Sequence, residues 1–281
     1  MASRMRPHLP LVDFIALFAF LLPFSKIRAI MKEKTKRQPM NVYQKLMMNR
    51  EGLMENGPIN IVIFGDSISH GAFNGYLDFE SVYWNVLRKK LNALRTYIPV
   101  NMICAAIGGT TAKKSLSRLE GQVLSLHPDL VIVCFGLNDV NGPLEDYLGA
   151  LETIFRECRG CGADVIFMTP NMMNTYVAED TPREHYEYAH ITARMQNEGK
   201  VDVYIEAAKA LACRMGIAVC DCYAKWKALY ASGADITQLL CNRINHPSEE
   251  MHNLFADALF ELITAQNTEN AEADDTMFQQ K

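Results

Sequence analysis

Apolar and polar positions fall into alternating blocks over residues 58–266. Ile61 to Phe64 is a short apolar run rich in β-branched side chains, broken at once by Gly65-Asp66-Ser67. That is the pattern of a buried strand ending in a tight turn with a serine lifted out where the strand stops. A helix is expected around Ser81 to Arg95, where Val86, Leu87, Leu91 and Leu94 share a face. Val100 to Ala105 reads as a second strand, and Thr110 to Leu126 carries a helical pattern after Gly108-Gly109. Leu130 to Phe135 is uninterrupted and apolar, as a central parallel strand should be.

The alternation continues. Pro143 to Cys158 is helical through Leu144, Leu148, Leu151 and Phe155, and Val165 to Met168 is a fourth strand stopped by Pro170. A polar loop near Asn171 to Pro182 precedes a helix expected over Val201 to Met215. Ile217 to Cys220 is the fifth strand, and a last helix from Pro247 places Met251, Leu254, Phe255, Ala258, Leu259 and Leu262 on one side. Five short strands separated by helices predict an α/β fold with a five-stranded parallel sheet covered on both faces. Ligands of such sheets bind at the carboxyl ends of the strands. Four polar motifs then share one rim: Gly65-Asp66-Ser67, Gly108-Gly109-Thr110-Thr111, Gly136-Leu137-Asn138-Asp139 and Asn245-His246-Pro247.

Composition changes this picture little. With 281 residues, 49% of them hydrophobic, the chain is long enough for one sizeable core, and a formal net charge of -4 gives no electrostatic footprint for nucleic acid. Eight cysteines, several inside apolar runs, favour a reducing compartment. Cys158 and Cys161 have metal or redox spacing, but no second pair with comparable flanks completes a zinc set, so we read them as structural and expect neither metal nor cofactor.

The ends stand apart. Residues 1–57 form an N-terminal extension with an apolar stretch, 11–24, and a basic one, 26–37. The apolar stretch has the length of a signal-peptide core but lacks a small-residue cleavage site, and it is short for a membrane span. A signal anchor, a poor signal peptide, or translated upstream sequence with Met31 or Met40 as the start are the three readings. The last agrees with the cysteine usage and a cytoplasmic location; the others would make the protein secreted or membrane-anchored. Residues 267–281 are acidic and polar and read as a disordered tail.

A serine hydroxyl needs a base within hydrogen-bond reach and donors for the oxyanion it generates. Ser67 is exposed by its turn, and His246 sits in a loop on the correct rim just before a helix start. The N–H groups of Ser67 and Gly109 and the side-chain amide of Asn138 are candidate oxyanion donors. Asp66 and Asp139 are expected to brace their loops through backbone hydrogen bonds rather than to move protons. His70 is a candidate pocket residue, and His185, His190 and His252 read as surface or packing residues. The Met172, Met173 and Tyr176 segment is a candidate acyl or sugar pocket. Singly, each motif has an ordinary structural reading as a cap, a turn or an Asx-turn; together, in this order on one rim, they favour catalysis.

F-G-D-S-I-S-H-G resembles the first block of the SGNH (GDSL-type) hydrolases, the glycine pair before Thr110 their second, G-L-N-D their third and N-H-P their last. The likeness runs from about residue 59 to about residue 264. It implies a flavodoxin-like three-layer α/β/α sandwich, Ser67 as nucleophile, Gly109 and Asn138 completing the oxyanion hole with Ser67, His246 as general base, and no metal. The implied substrates are esters of lipids, carbohydrates or small acyl groups. The family's last block carries an Asp three residues before the histidine, where this chain has Arg243, preceded by Asn242. A backbone carbonyl or Asn242 could hold the imidazole tautomer, or a carboxylate such as Asp221 or Glu249 could take over; we expect the former, a Ser-His dyad. The function expected is a serine esterase acting on a small or carbohydrate-linked acyl group. The competing reading is a decayed module of the same fold that binds acylated glycans.

Overall fold

The computed structural model describes residues 41–265; the segments 11–24 and 26–37 and the tail 267–281 lie outside the described residues. In chain order the elements are α1 (Asn41–Met47), α2 (Arg50–Asn56), β1 (Ile59–Gly65), α3 (Tyr83–Asn92), β2 (Val100–Cys104), α4 (Ala112–Ser115), α5 (Leu119–Gln122), β3 (Leu130–Cys134), α6 (Leu144–Gly160), β4 (Asp164–Met168), α7 (Tyr186–Asn197), α8 (Lys200–Arg214), β5 (Ala218–Cys220), α9 (Cys222–Ala231) and α10 (Glu249–Thr264). All strand pairs are parallel and the order is β2-β1-β3-β4-β5. This is the flavodoxin-like order, with its reversal between β1 and β3. The three-layer α/β/α fold is therefore the one observed.

Burial explains why the strands form where they do. All five residues of β3 are fully buried, as are Ile61 to Phe64 of β1, so neither strand has a solvent face to decorate with polar side chains. α3 packs against α10 on one side of the sheet, while α6 packs against α4 and α8 on the other. Right-handed crossovers through this strand order require that division.

Three local features depart from the sequence reading. The segment from Thr110 to Leu126 is not one helix but α4, α5 and two 3-10 turns. Its C-terminal end turns at His127, which takes a left-handed φ of 48°. α7 and α9 arise where no helix was expected. The body also begins before residue 58. Val42, Leu46 and Leu53 of α1 and α2 are core residues, the N–H of Val42 donates to Asp164 Oδ2 at 2.8 Å, and Lys45 pairs with Asp129 at 2.9 Å. A short helix with so few apolar positions carries little periodicity, so its docking face is invisible until β3 and β4 supply the carboxylates.

Candidate active site

The nucleophile turn is shaped by close approach. A Cβ at Gly65 would lie 2.6 Å from the Cys134 carbonyl oxygen and 2.6 Å from Ser69 Oγ, so only glycine fits where β1 runs out beside β3. The turn then closes through His70 N–H to the Asp66 carbonyl at 2.9 Å and Ala72 N–H to the Ser67 carbonyl at 3.0 Å. Ser69 is locked below it by Tyr83, whose hydroxyl lies 2.8 Å from Ser69 Oγ.

Ser67 Oγ lies 3.0 Å from His246 Nε2. The other ring nitrogen, Nδ1, is 3.0 Å from the carbonyl oxygen of Phe73. A carbonyl can only accept, so Nδ1 carries the proton and Nε2 presents its lone pair to Ser67. Burial pushes the His246 pKa below its ordinary 6.5, with the Phe73 carbonyl opposing in part. Among the described residues no carboxylate is hydrogen-bonded to the imidazole. Asp221 is occupied at the N-terminus of α9 and with Lys209, and Glu249 accepts from the Tyr76 hydroxyl at 3.1 Å.

Asn242 reaches the base loop's main chain rather than the ring. Its Oδ1 accepts from the N–H groups of Ile244, Asn245 and His246 at 3.0, 2.9 and 2.9 Å. Arg243 adopts a left-handed φ of 60°, and its side chain runs to Asp180, 2.9 Å away. The segment after β4 braces the same loop. Asn171 Nδ2 donates to the Asn245 carbonyl at 2.9 Å and Asn174 N–H to that of Ile244 at 2.8 Å. Met172 and Met173 are buried in the core, so they do not line a substrate pocket as the sequence reading expected.

The second and third motifs lie close to the Ser67 turn. A Cβ at Gly108 would be 3.6 Å from that of Ser67, so the glycine turn lies against the serine. Gly109 has a φ of 71°, which favours glycine, and among the described residues neither its N–H nor that of Ser67 has a protein partner. Asn138 Nδ2 donates to the Thr110 carbonyl at 3.0 Å and lies 3.4 Å from Asp66 Oδ2, leaving its second hydrogen weakly engaged. His70 Nδ1 accepts from Gly108 N–H at 3.2 Å and so ties the glycine turn to the nucleophile turn.

Two carboxyls lie beneath. Asp66 accepts from Ile68 N–H at 3.1 Å and Asp139 from Ala112 N–H at 2.9 Å. Burial, joined for Asp66 by the nearby Asp139 charge, pushes Asp66 up to about 7, and burial raises Asp139 to about 6. Both reach backbone N–H groups, and His252 is a fully buried packing residue. Among the described residues no three His, Cys, Asp or Glu side chains group to hold a metal ion, and Cys161 Sγ turns back to the Cys158 carbonyl.

Two clefts open near the site, one lined in part by His246 and the other by Gly109 and Asn138. One, about 420 Å³, is lined by Ala72, Phe73, Gly75, Tyr76, Leu77 and His246. The other, about 410 Å³, includes Gly109, Thr111, Lys114, Asn138, Asn141 and Asp146.

Residues 63–254 match the GDSL-like Lipase/Acylhydrolase family. The chain belongs to this family. This GDSL-like acylhydrolase is accordingly a carboxylic ester hydrolase. Among solved structures it resembles the acetylxylan esterase Axe2 from Geobacillus stearothermophilus, with 21% identity, a TM-score of 0.58, and coverage of 73% of this chain and 94% of that one. An acetyl xylan esterase, AlAXEase, matches with 20% identity and a TM-score of 0.57 over 73% and 100% of the two chains. The α/β hydrolase LAE5, from the metagenome of Lake Arreo, Spain, matches with 21% identity and a TM-score of 0.56 over 73% and 94%. At these identities the likeness concerns the fold. No match was found among curated protein sequences. Among the described residues no helix is long and apolar enough to cross a membrane.

Proposed function

We propose that the GDSL-like acylhydrolase is a serine esterase that passes through an acyl-enzyme on Ser67, with His246 as its base. The observation that carries this reading is the 3.0 Å contact between Ser67 Oγ and His246 Nε2, with Nδ1 held by the Phe73 carbonyl. His246 takes the hydroxyl proton as Ser67 Oγ bonds to the acyl carbon. The negative charge that collects on the acyl oxygen is met by the N–H groups of Ser67 and Gly109 and by the Asn138 amide. Collapse of the tetrahedral species expels the alcohol, which leaves with the proton from His246 Nε2. Water then bonds to the acyl carbon as its proton passes to the same nitrogen, and collapse of the second tetrahedral species breaks the Ser67 Oγ–acyl bond, releases the acid and returns the proton from His246 to Ser67 Oγ.

The base is a dyad member that has no carboxylate partner among the described residues. A carbonyl fixes the tautomer but cannot neutralise the imidazolium that forms, so the charged intermediate is less sheltered than in a Ser-His-Asp triad. The acyl group is small or carbohydrate-linked, in keeping with relatives named as acetylxylan esterases. Hydrolysis of p-nitrophenyl acetate by the full chain tests the assignment. Ser67→Ala and His246→Ala should each lower kcat by at least about 10³-fold. Turnover surviving in the Ser67→Ala protein contradicts it.

A further inference from the structure

The two clefts divide the machinery between them. The one lined by Phe73, Tyr76 and Leu77 contains His246 and none of the oxyanion donors, whereas the other contains Gly109 and Asn138 and not His246. In acyl transfer the departing alkoxide must take its proton from the base, so the alcohol has to leave from the base's side. We infer that the cleft beside His246 is the subsite for the leaving alcohol, and that it takes an alcohol carrying a six-membered ring, which lies against Tyr76. The inference rests on the esterase reading above and adds the alcohol half of the substrate to it.

The wall of this cleft is aromatic and preformed. Residues 72–77 make a tight reversal, closed by an antiparallel bridge between Ala72 and Leu77 and by Phe73 N–H donating to the Tyr76 carbonyl at 2.9 Å. The Phe73 and Tyr76 rings stack with centroids 5.9 Å apart and 18° between their planes. Phe73 is buried, and its far side rests on the His252 ring at 4.9 Å, whereas Tyr76 keeps 52% of its surface open. Apart from His246, every side chain of the lining is apolar except for the Tyr76 hydroxyl. That hydroxyl is fixed by the exposed Glu249 carboxylate, which leaves a charged acceptor at the cleft's rim.

An open aromatic face held from behind suits the flat or chair-shaped face of a ring, since an aromatic plate gives large contact at low entropic cost. The rim carboxylate suits a ring bearing hydroxyls. An aryl group and a pyranose share the first property; only the pyranose uses the second. The same reversal carries the carbonyl that orients His246, so ring binding and base geometry share one rigid support.

The test uses acetates of three primary alcohols, which differ only on the alcohol side: ethyl acetate, benzyl acetate and methyl 6-O-acetyl-glucopyranoside. Ethyl phenylacetate, with its ring on the acyl side, is the fourth substrate. Tyr76→Ala should lower the ratio of kcat/KM for the two ring alcohols over ethyl acetate by about tenfold, chiefly through KM. Tyr76→Phe should keep the benzyl ratio, and Glu249→Gln should lower the glucopyranoside ratio alone. A ratio for benzyl and glucopyranoside esters that does not move in Tyr76→Ala overturns the inference, as does a loss confined to ethyl phenylacetate, which would put the acyl group in this cleft. Loss of the benzyl ratio with the glucopyranoside ratio intact would assign an aryl alcohol. Full activity in Ser67→Ala would overturn the esterase reading itself, an outcome that no Tyr76 result can imitate.

Discussion

Beneath Ser67 the buried ionisable groups are carboxyls, Asp66 and Asp139, held up to about 7 and about 6. Behind His246 the corresponding group is an imidazole, His252, which burial pushes down to about 3. In both regions burial disfavours the charged form, raising the carboxyls and lowering the imidazole. The nucleophile side is also anchored by side chains acting on backbone N–H groups. On the base side the contact that matters to the ring comes from a main-chain carbonyl. In the proposed mechanism position and charge stabilisation are separable tasks: the Phe73 carbonyl serves the first for His246, and among the described residues no group hydrogen-bonded to the ring serves the second.

The oxyanion side is where that comparison is broken most severely. Asn138→Ala should reduce kcat for p-nitrophenyl acetate by roughly 10²-fold, with KM little changed. His70→Ala removes the acceptor of Gly108 N–H together with a ring contact to Phe79 and should cost about tenfold in kcat, the scale of one hydrogen bond, with partial recovery in His70→Asn. Steady-state kinetics with matched circular dichroism checks both.

Arg243→Asp places a carboxylate three residues before His246, where the family resemblance implies one. The left-handed backbone at that position sends the side chain toward Asp180, and Nδ1 of His246 is already engaged. The substitution should therefore change kcat/KM by less than about fivefold, the worth of an exposed ion pair. A gain of tenfold or more would show that the absent acid limits the enzyme.

The smallest effects are on stability. Asp139 has a folded pKa above its unfolded value of 3.8, so its contribution is complete below about 4 and is lost as pH rises through about 6. His252 has a folded pKa below its ordinary 6.5, so its contribution is complete above that value and is lost as pH falls toward about 3. Asp139→Asn should flatten the loss of Tm on the rising side by a few °C, and His252→Asn the loss on the falling side. Thermal melts from pH 4 to 8 separate the two; slopes of the same sign in both variants would erase the distinction between the regions.

The legibility of the chain in its sequence follows the same division. Strands β1 and β3 were plain because burial on both faces leaves an unbroken apolar run. The Gly65-Asp66-Ser67 turn, the glycine pair and Asn138 are legible as candidates because the chemistry proposed for them needs particular residue types. Phe73 was not, since a backbone carbonyl belongs to every residue and leaves no mark in the sequence. Nor was the role of Asn171 and Asn174, whose contacts with the base loop join parts of the chain about 70 residues apart. Met172 and Met173 resembled a pocket because flexible apolar side chains suit pockets and cores equally. Tyr76 leaves no signal, because a lone aromatic in a Gly-rich turn carries no periodicity.

Ser67 is proposed to react through an imidazole oriented by a main-chain carbonyl rather than a carboxylate. The rate at which a fluorophosphonate labels the full chain, followed by mass spectrometry across pH, tests it most directly. The account predicts a single adduct on Ser67, nearly absent in His246→Ala, with an acid limb whose midpoint lies below 6.5, because burial lowers the His246 pKa and no anion raises it. No adduct on Ser67, or an acid limb centred above 6.5 as a carboxylate-paired histidine would give, would contradict it.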